Sequence, residues 1–177
     1  MAGIARPVTM RTSRLLVLLN RLKAEARRDW LTGSQSTALA NIEQLWRFPE
    51  RVNLCGAPGV GKTFLAWSVA RALCATFYAS PRIYQATASP GQERVVIENA
   101  PDNVTDLRRL LATVQLNGVR TALFVTKHPN RLGLPTVTLP IPTTQDVDTI
   151  YRNLSLLDYY APHPTYSNNL WAVVAQV

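Results

Sequence analysis

Disulfide-forming residues, long apolar runs and acidic side chains are all scarce in this chain. Cys55 and Cys74 are its only cysteines, too few for a disulfide framework, and they read as reduced, buried thiols of a cytosolic protein. No apolar run approaches the roughly 18–20 residues that a bilayer-spanning helix needs, so no membrane partner is expected. Histidine occurs twice. His128 has no second His, Cys or acid at ligand spacing, which argues against a metal site, and His163 between two prolines is expected to be exposed. No internal repeat is present. Charged residues make up 17% of the 177 residues and hydrophobic ones 47%, which excludes global disorder and supplies enough apolar material for one domain with a small appendage.

The few acids are outnumbered unevenly. Lys and Arg total 19 against 11 Asp and Glu, a formal net charge of +8. Residues 1–30 hold seven of the basic side chains (Arg6, Arg11, Arg14, Arg21, Lys23, Arg27, Arg28) against Glu25 and Asp29, and so carry +5 of that excess. A basic end on a nearly balanced body suits a polyanionic partner, DNA more readily than RNA, or a protein partner. An Arg-rich, acid-poor start can resemble a mitochondrial presequence, but Glu25 and Asp29 on the same helical stretch speak against it.

After a loose tail over residues 1–10, Leu15, Leu19, Leu22, Ala26 and Trp30 recur at helical spacing and predict one helix from Arg11 to Trp30. Arg14, Arg21 and Arg28 lie seven apart and would fall near one line on its flank, either a solvated face or a stripe that tracks nucleic-acid phosphates. Thr32-Gly33-Ser34 breaks the helix, and Ser34 or Ser36 can cap a second one carrying Leu39, Ile42, Leu45 and Trp46.

Arg51–Cys55 reads as a buried strand. The helix following it keeps Leu65, Val69, Leu73 and Phe77 on one face. Ile83–Ala86 is a candidate second strand, Arg94–Glu98 a third, Thr121–Thr126 a fourth and Val137–Leu139 a short fifth, with a helix from about Asn103 to Leu116. Thr143 with Asp146 signals the cap of a last helix through Val147, Ile150, Leu154 and Leu157. A small element could follow at Leu170–Val174. Strands alternating with helices imply an α/β domain with a largely parallel sheet covered on both faces. The link between the second and third strands is too short for a parallel crossover of about a dozen residues, so those two would form a hairpin or lie apart in the sheet.

Between the first strand and its helix, Gly56-Ala57-Pro58-Gly59-Val60-Gly61-Lys62-Thr63 matches G-x-x-x-x-G-K-[ST] in full. Glycines let successive N–H groups point inward around phosphate oxygens, and the helix N-terminus adds its positive end. Lys62 would reach the β- and γ-phosphates, and the Thr63 hydroxyl would ligate Mg²⁺. Val95-Val96-Ile97-Glu98 has the shape of a Walker B strand, with Glu98 as a second metal-site residue. Asn99 stands where a second acid is common, and an amide cannot take a proton from water, so hydrolysis would rest on Glu98 itself or on Asp102. Thr126 ends the next buried strand, where its hydroxyl could meet the γ-phosphate or the attacking water.

On these motifs the chain, from about Leu39 to Leu157, resembles the core of an AAA+ ATPase within the P-loop NTPases. RVNLCGAPGVGKTFLA resembles the strand and loop, VVIENAPD the Walker B segment and TALFVTKHP the sensor 1 strand. NRLGLPTVTLPIP is similar to the approach to the last core strand, and TTQDVDTIYRNL to the opening helix of a lid. The cadence is similar to clamp-loader and origin- or transposon-associated subunits.

The resemblance implies a three-layer α/β/α P-loop core with a mostly parallel sheet over residues 34–142. A basic N-terminal tail and helix (1–33) would precede it, and a truncated lid (143–177) would follow. It also implies ATP and Mg²⁺ as cofactors, Glu98 as the Walker B acid, Thr126 as sensor 1 and Arg131 as an arginine finger, with Arg152 a nominal substitute for sensor 2. The expected function is an ATP-binding, weakly hydrolysing subunit of a homo-oligomer or hetero-assembly, coupling nucleotide state to nucleic acid or a partner protein. The alternatives are a nucleotide-locked scaffold, favoured by Asn99, and a small P-loop kinase using Arg108 and Arg109.

Overall fold

A computed structural model describes residues 8–157 of the chain, with side chains from residue 16. The sequence expectations at Arg14, His163 and Leu170–Val174 concern side chains or segments outside that description.

Five strands, β1 (Arg51–Cys55), β2 (Thr76–Tyr78), β3 (Arg94–Ile97), β4 (Thr121–Val125) and β5 (Thr136–Thr138), form one sheet in the order β2-β3-β4-β1-β5. Every neighbouring pair runs parallel, with Arg51 opposite Ala122, Asn53 opposite Thr136, Thr76 opposite Val95 and Arg94 opposite Thr121. A parallel sheet needs cover on both faces, and the helices supply it: α1 (Val8–Ala24), α2 (Gly33–Leu45), α3 (Lys62–Ala72), α4 (Pro81–Thr87), α5 (Val104–Leu116) and α6 (Thr144–Ser155). Leu39 and Ile42 of α2 and Leu65 and Val69 of α3 pack on Val52, Leu54, Val96, Leu123 and Val125 on one face. Tyr84 of α4 and Leu107, Leu110 and Val114 of α5 pack on Val95, Ile97, Ala122 and Phe124 on the other. The expected three-layer α/β arrangement is the one the chain forms.

Several local expectations need correction. The first helix does not reach Trp30. It ends at Ala24, and a 3-10 turn over Arg28–Trp30 follows after a break, so Arg21 and Arg28 do not share one helical line. Helix α1 begins at Val8, inside the stretch expected to be loose. Thr32, rather than Ser34 or Ser36, caps α2, in a capping box with Gln35. Helix α3 stops at Ala72 because Cys74 takes a left-handed conformation (φ 51°), and Phe77 belongs to β2. Cys55 is buried as expected, whereas Cys74 is exposed.

The second strand is thus Thr76–Tyr78, not Ile83–Ala86, which lies in α4. Ser80 caps that helix by accepting from the Ile83 N–H at 3.3 Å, and Pro81 holds its first position. With the strand moved upstream, α4 serves as the crossover into β3, and the hairpin alternative disappears. Strands β3 and β4 end one residue before the expected Glu98 and Thr126, which leaves both side chains at the sheet's C-terminal rim.

Helices α1 and α6 meet beyond the sheet, where Leu18, Leu22, Ile150 and Leu154 cluster. Asp146 ties α6 to α2. Its carboxylate accepts from the N–H and hydroxyl of Ser34 at 3.1 and 2.7 Å and from the N–H and hydroxyl of Thr143 at 2.9 Å each. Burial pushes this carboxyl up, but those four hydrogen bonds outweigh it and hold the pKa at about 2. Among the described residues no helix is long and apolar enough to cross a membrane.

Candidate functional site

Strand order reverses beside β1, since the chain leaves it toward β2 on one side and reaches β5 on the other. The C-terminal rim at such a switch point is where open α/β sheets hold their ligands. Here that rim carries residues 56–63. Gly56 is buried so tightly that a Cβ on it would lie 2.6 Å from the backbone carbonyl oxygen of Leu139. Gly59 and Gly61 take left-handed conformations, φ 81° and 92°, that other residues adopt only under strain. Val60 anchors the loop in the core, and the Gly61 carbonyl accepts from Gln35 Nε2 of α2 at 3.2 Å.

Helix α3 begins at Lys62, so its free N–H groups and positive end face the loop. The Lys62 ammonium donates to the carbonyls of Gly56 at 2.6 Å and Ala57 at 2.8 Å, closing the loop on itself. Burial lowers the Lys62 pKa. Cys55, Glu98 and Asp102 oppose that fall, and the positive charge of Lys127 adds to it.

Facing the loop, the exits of β3 and β4 supply the remaining polar groups. The Thr63 hydroxyl donates to Glu98 Oε1, so the two residues assigned to metal from the sequence touch. Burial raises the Glu98 pKa, against the pull of the Thr63 hydrogen bond and the Lys62 charge. Asp102 Oδ1 accepts from the backbone N–H groups of Lys127 at 3.0 Å and His128 at 3.2 Å, which fixes the turn leaving β4. Thr126 Oγ1 lies 2.9 Å from Asn53 Oδ1 and 2.7 Å from the His128 carbonyl. Its single proton serves one of these acceptors. Among the described residues Asn53 Nδ2 is buried without a partner, so turning the Asn53 amide lets it donate to Thr126 while Thr126 donates to His128. Asn99 sits in a left-handed conformation (φ 53°), and its amide donates to the Ala79 carbonyl at 3.1 Å.

Part of the loop and the exits of β3 and β4 line one cavity of 580 Å³. One end is polar, with Gly59, Gly61, Lys62, Thr63, Glu98, Asp102, Thr126 and Lys127. Away from these the lining is mostly apolar, with Leu19, Leu22 and Trp30 from the N-terminal segment, Phe64 and Trp67 from α3, and Ile150 and Leu154 from α6, interrupted by Gln35 and Asn153. Sequence reasoning placed Leu19, Leu22, Trp30 and Leu154 on helix faces but did not join them to the loop. It missed Lys127, Gln35 and Asn53 altogether; a buried Asn inside an apolar strand was the signal available for the last.

Other proposed residues lie elsewhere. Ala57 and Pro58 are exposed on the loop, and only Pro58 lines the cavity. Arg131 and Arg152 are exposed and line none of it. Arg108 and Arg109 are exposed on α5, Arg109 pairing with Asp106 at 3.2 Å. Arg21 donates to the Leu157 carbonyl at 3.4 Å, and Arg28 pairs with Glu43.

The polar end fits a hydrated hard cation. A hydroxyl and a carboxylate in contact are oxygen donors of the kind Mg²⁺ takes. Among the described residues no group of three or more His, Cys, Asp or Glu could hold a metal ion, so a cation there would depend on ligand phosphates and water for the rest of its shell.

The fold is similar to that of RuvB from Thermotoga maritima, described as a Holliday junction branch migration motor. The TM-score is 0.46 and the identity 20%, over 72% of this chain and 50% of that one. An arginine-to-alanine variant of the same protein gives the same values. The chain thus spans half the length of these structures. No protein-family model matches it, and no curated protein does. Strand order and the position of the loop carry the fold class by themselves.

Proposed function

We propose that this chain is an ATP-binding, AAA+-like P-loop subunit that assembles into oligomers and couples nucleotide state to nucleic acid or a partner protein. The carrying observation is the two-ended cavity. Its polar lining offers the glycine loop, an ammonium, a hydroxyl and a carboxylate, and its aromatic residues Trp30, Phe64 and Trp67 offer apolar surface on which a flat base could stack. A triphosphate tail would take over the two hydrogen bonds that Lys62 now gives to Gly56 and Ala57. Mg²⁺, held through Thr63 with Glu98 behind it, would neutralise phosphate charge and polarise the terminal group. Thr126 would contact the γ-phosphate or the water beside it, and Asp102, with Oδ1 committed to two N–H groups, would keep Oδ2 to accept a proton. Arg131 on the exposed loop after β4 would reach a neighbouring subunit, and the basic N-terminal segment would add affinity for a polyanion.

The second reading, a nucleotide-locked scaffold, is favoured by one observation: the side chain next to Glu98 is an amide already bonded to Ala79. The kinase alternative has no such support, because neither Arg108 nor Arg109 lines the cavity.

Three measurements on the full chain test these readings. Light scattering with ATP, a slow analogue or no nucleotide, each with and without duplex DNA, should show higher assemblies only with nucleotide; a monomer throughout contradicts the oligomer. Steady-state hydrolysis separates the readings, since tight binding without turnover selects the scaffold. Lys62→Ala should weaken ATP binding at least about a hundredfold while leaving the circular dichroism spectrum unchanged.

A further inference from the structure

We infer that Lys127 is a same-chain cation for the terminal phosphate of the bound nucleotide, so that each subunit distinguishes a nucleoside triphosphate from a diphosphate on its own. The inference rests on the nucleotide reading above and goes beyond it in assigning a residue that no motif marks.

Strand β4 lies between β1, which ends in the phosphate loop, and β3, which ends at Glu98. Whatever follows β4 therefore stands over the junction of the two. Lys127 occupies that place and lines the cavity together with Lys62, Thr63, Glu98 and Asp102. Its main chain is held: the N–H donates to Asp102 Oδ1 at 3.0 Å, the next N–H does the same at 3.2 Å, and the preceding Thr126 is buried and hydrogen-bonded to its surroundings. The stem of the lysine thus starts from a fixed point, while the residue is exposed and takes no ion-pair partner among the described residues.

Charge makes the same demand. One cation from the loop and one metal ion must balance a polyanionic tail in a wall that also presents Glu98 and Asp102. The two arginines that could assist, Arg131 and Arg152, line none of this cavity. Among the described residues Lys127 is the one other cation that does, and its positive charge helps lower the Lys62 pKa. A lysine at the far end of the tail from the base meets the γ-phosphate and leaves the α- and β-phosphates to the loop.

The test uses the full chain with Mg²⁺, reading displacement of a fluorescent ADP analogue by unlabelled ATP and by ADP. Lys127→Ala should weaken ATP roughly ten- to a hundredfold, as expected for one hydrogen bond between charged groups, and leave ADP affinity where it was. Retained ADP binding also shows that the variant is folded. Lys127→Arg should keep part of the preference. In dilute protein, where light scattering shows a monomer, wild type should already prefer ATP to ADP and Lys127→Ala should not, as a same-chain contact requires. An unchanged ratio in Lys127→Ala overturns the inference while the nucleotide site stands. A wild-type preference for ATP that is absent in the dilute monomer and arises only on assembly overturns it in favour of a cation from a neighbour. If the wild-type chain binds neither nucleotide, the site reading fails and the inference with it.

Discussion

The two polar walls of the cavity are made in opposite ways. One is a single run, Gly56 to Thr63, whose shape follows from its own glycines and the helix it opens. The other is gathered from the ends of β3 and β4, with Glu98, Asp102, Thr126 and Lys127 brought together only because those strands are neighbours in the sheet.

Substitutions can break the two walls separately. The largest effect is expected at Gly56, where a methyl group would meet the Leu139 carbonyl oxygen at 2.6 Å. That oxygen is backbone next to β5 and cannot swing aside. Gly56→Ala should cost about 1–3 kcal/mol in a urea melt, the range for overpacked core positions, and should abolish nucleotide binding. Full stability in this variant would mean that the loop does not press on β5.

Glu98→Gln acts on the second wall alone. It should lower affinity for ATP about tenfold with Mg²⁺ present and leave metal-free affinity unchanged, a split readable by titration with and without chelator. Its stability effect has the opposite sign. Burial raises the Glu98 pKa above that of the unfolded chain, so the folded state is disfavoured as pH climbs past the ordinary carboxylate range and the group ionises. The amide removes that penalty, and the variant should melt higher than wild type at neutral pH and equally at acidic pH.

The smallest effect is expected at Asp146, which holds α6 to α2 behind the apolar end. Its folded pKa, about 2, lies below the unfolded value of 3.8, so its contribution is complete above the unfolded value and disappears as pH falls through the folded one. Asp146→Asn should lower stability by about 1 kcal/mol at neutral pH. It should also flatten the wild-type loss of stability between roughly pH 4 and 2. An equal acid transition in both proteins would place the acid-sensitive contact elsewhere.

The same contrast governs what could be read from the sequence. The loop, its strand and its helix were legible because motif, apolar run and helical period coincide over consecutive residues. The parallel α/β class followed from the alternation of strands and helices. Strand β2 was not legible. Thr76-Phe77-Tyr78 is only three residues long and continues the period of Leu65, Val69 and Leu73, so Phe77 passed for a helical position; the left-handed turn at Cys74 has no signature in a cysteine. Ser80-Pro81 was the available sign that a helix, not a strand, begins there. Glu98, Asp102 and Thr126 could be nominated from strand ends. Their gathering around one cavity, and the place of Lys127 among them, depend on strand order. The apolar end needed still more, because α1 and α6 are far apart in sequence and meet only through Leu18, Leu22, Ile150 and Leu154.

The most direct test of the account is a calorimetric titration of the full chain with ATP and Mg²⁺, repeated with Lys62→Ala. One site per chain with heat that disappears in the variant is the expected result. No measurable binding by the wild-type chain, or binding that Lys62→Ala leaves intact, would contradict the claim that the loop from Gly56 to Thr63 holds a nucleotide.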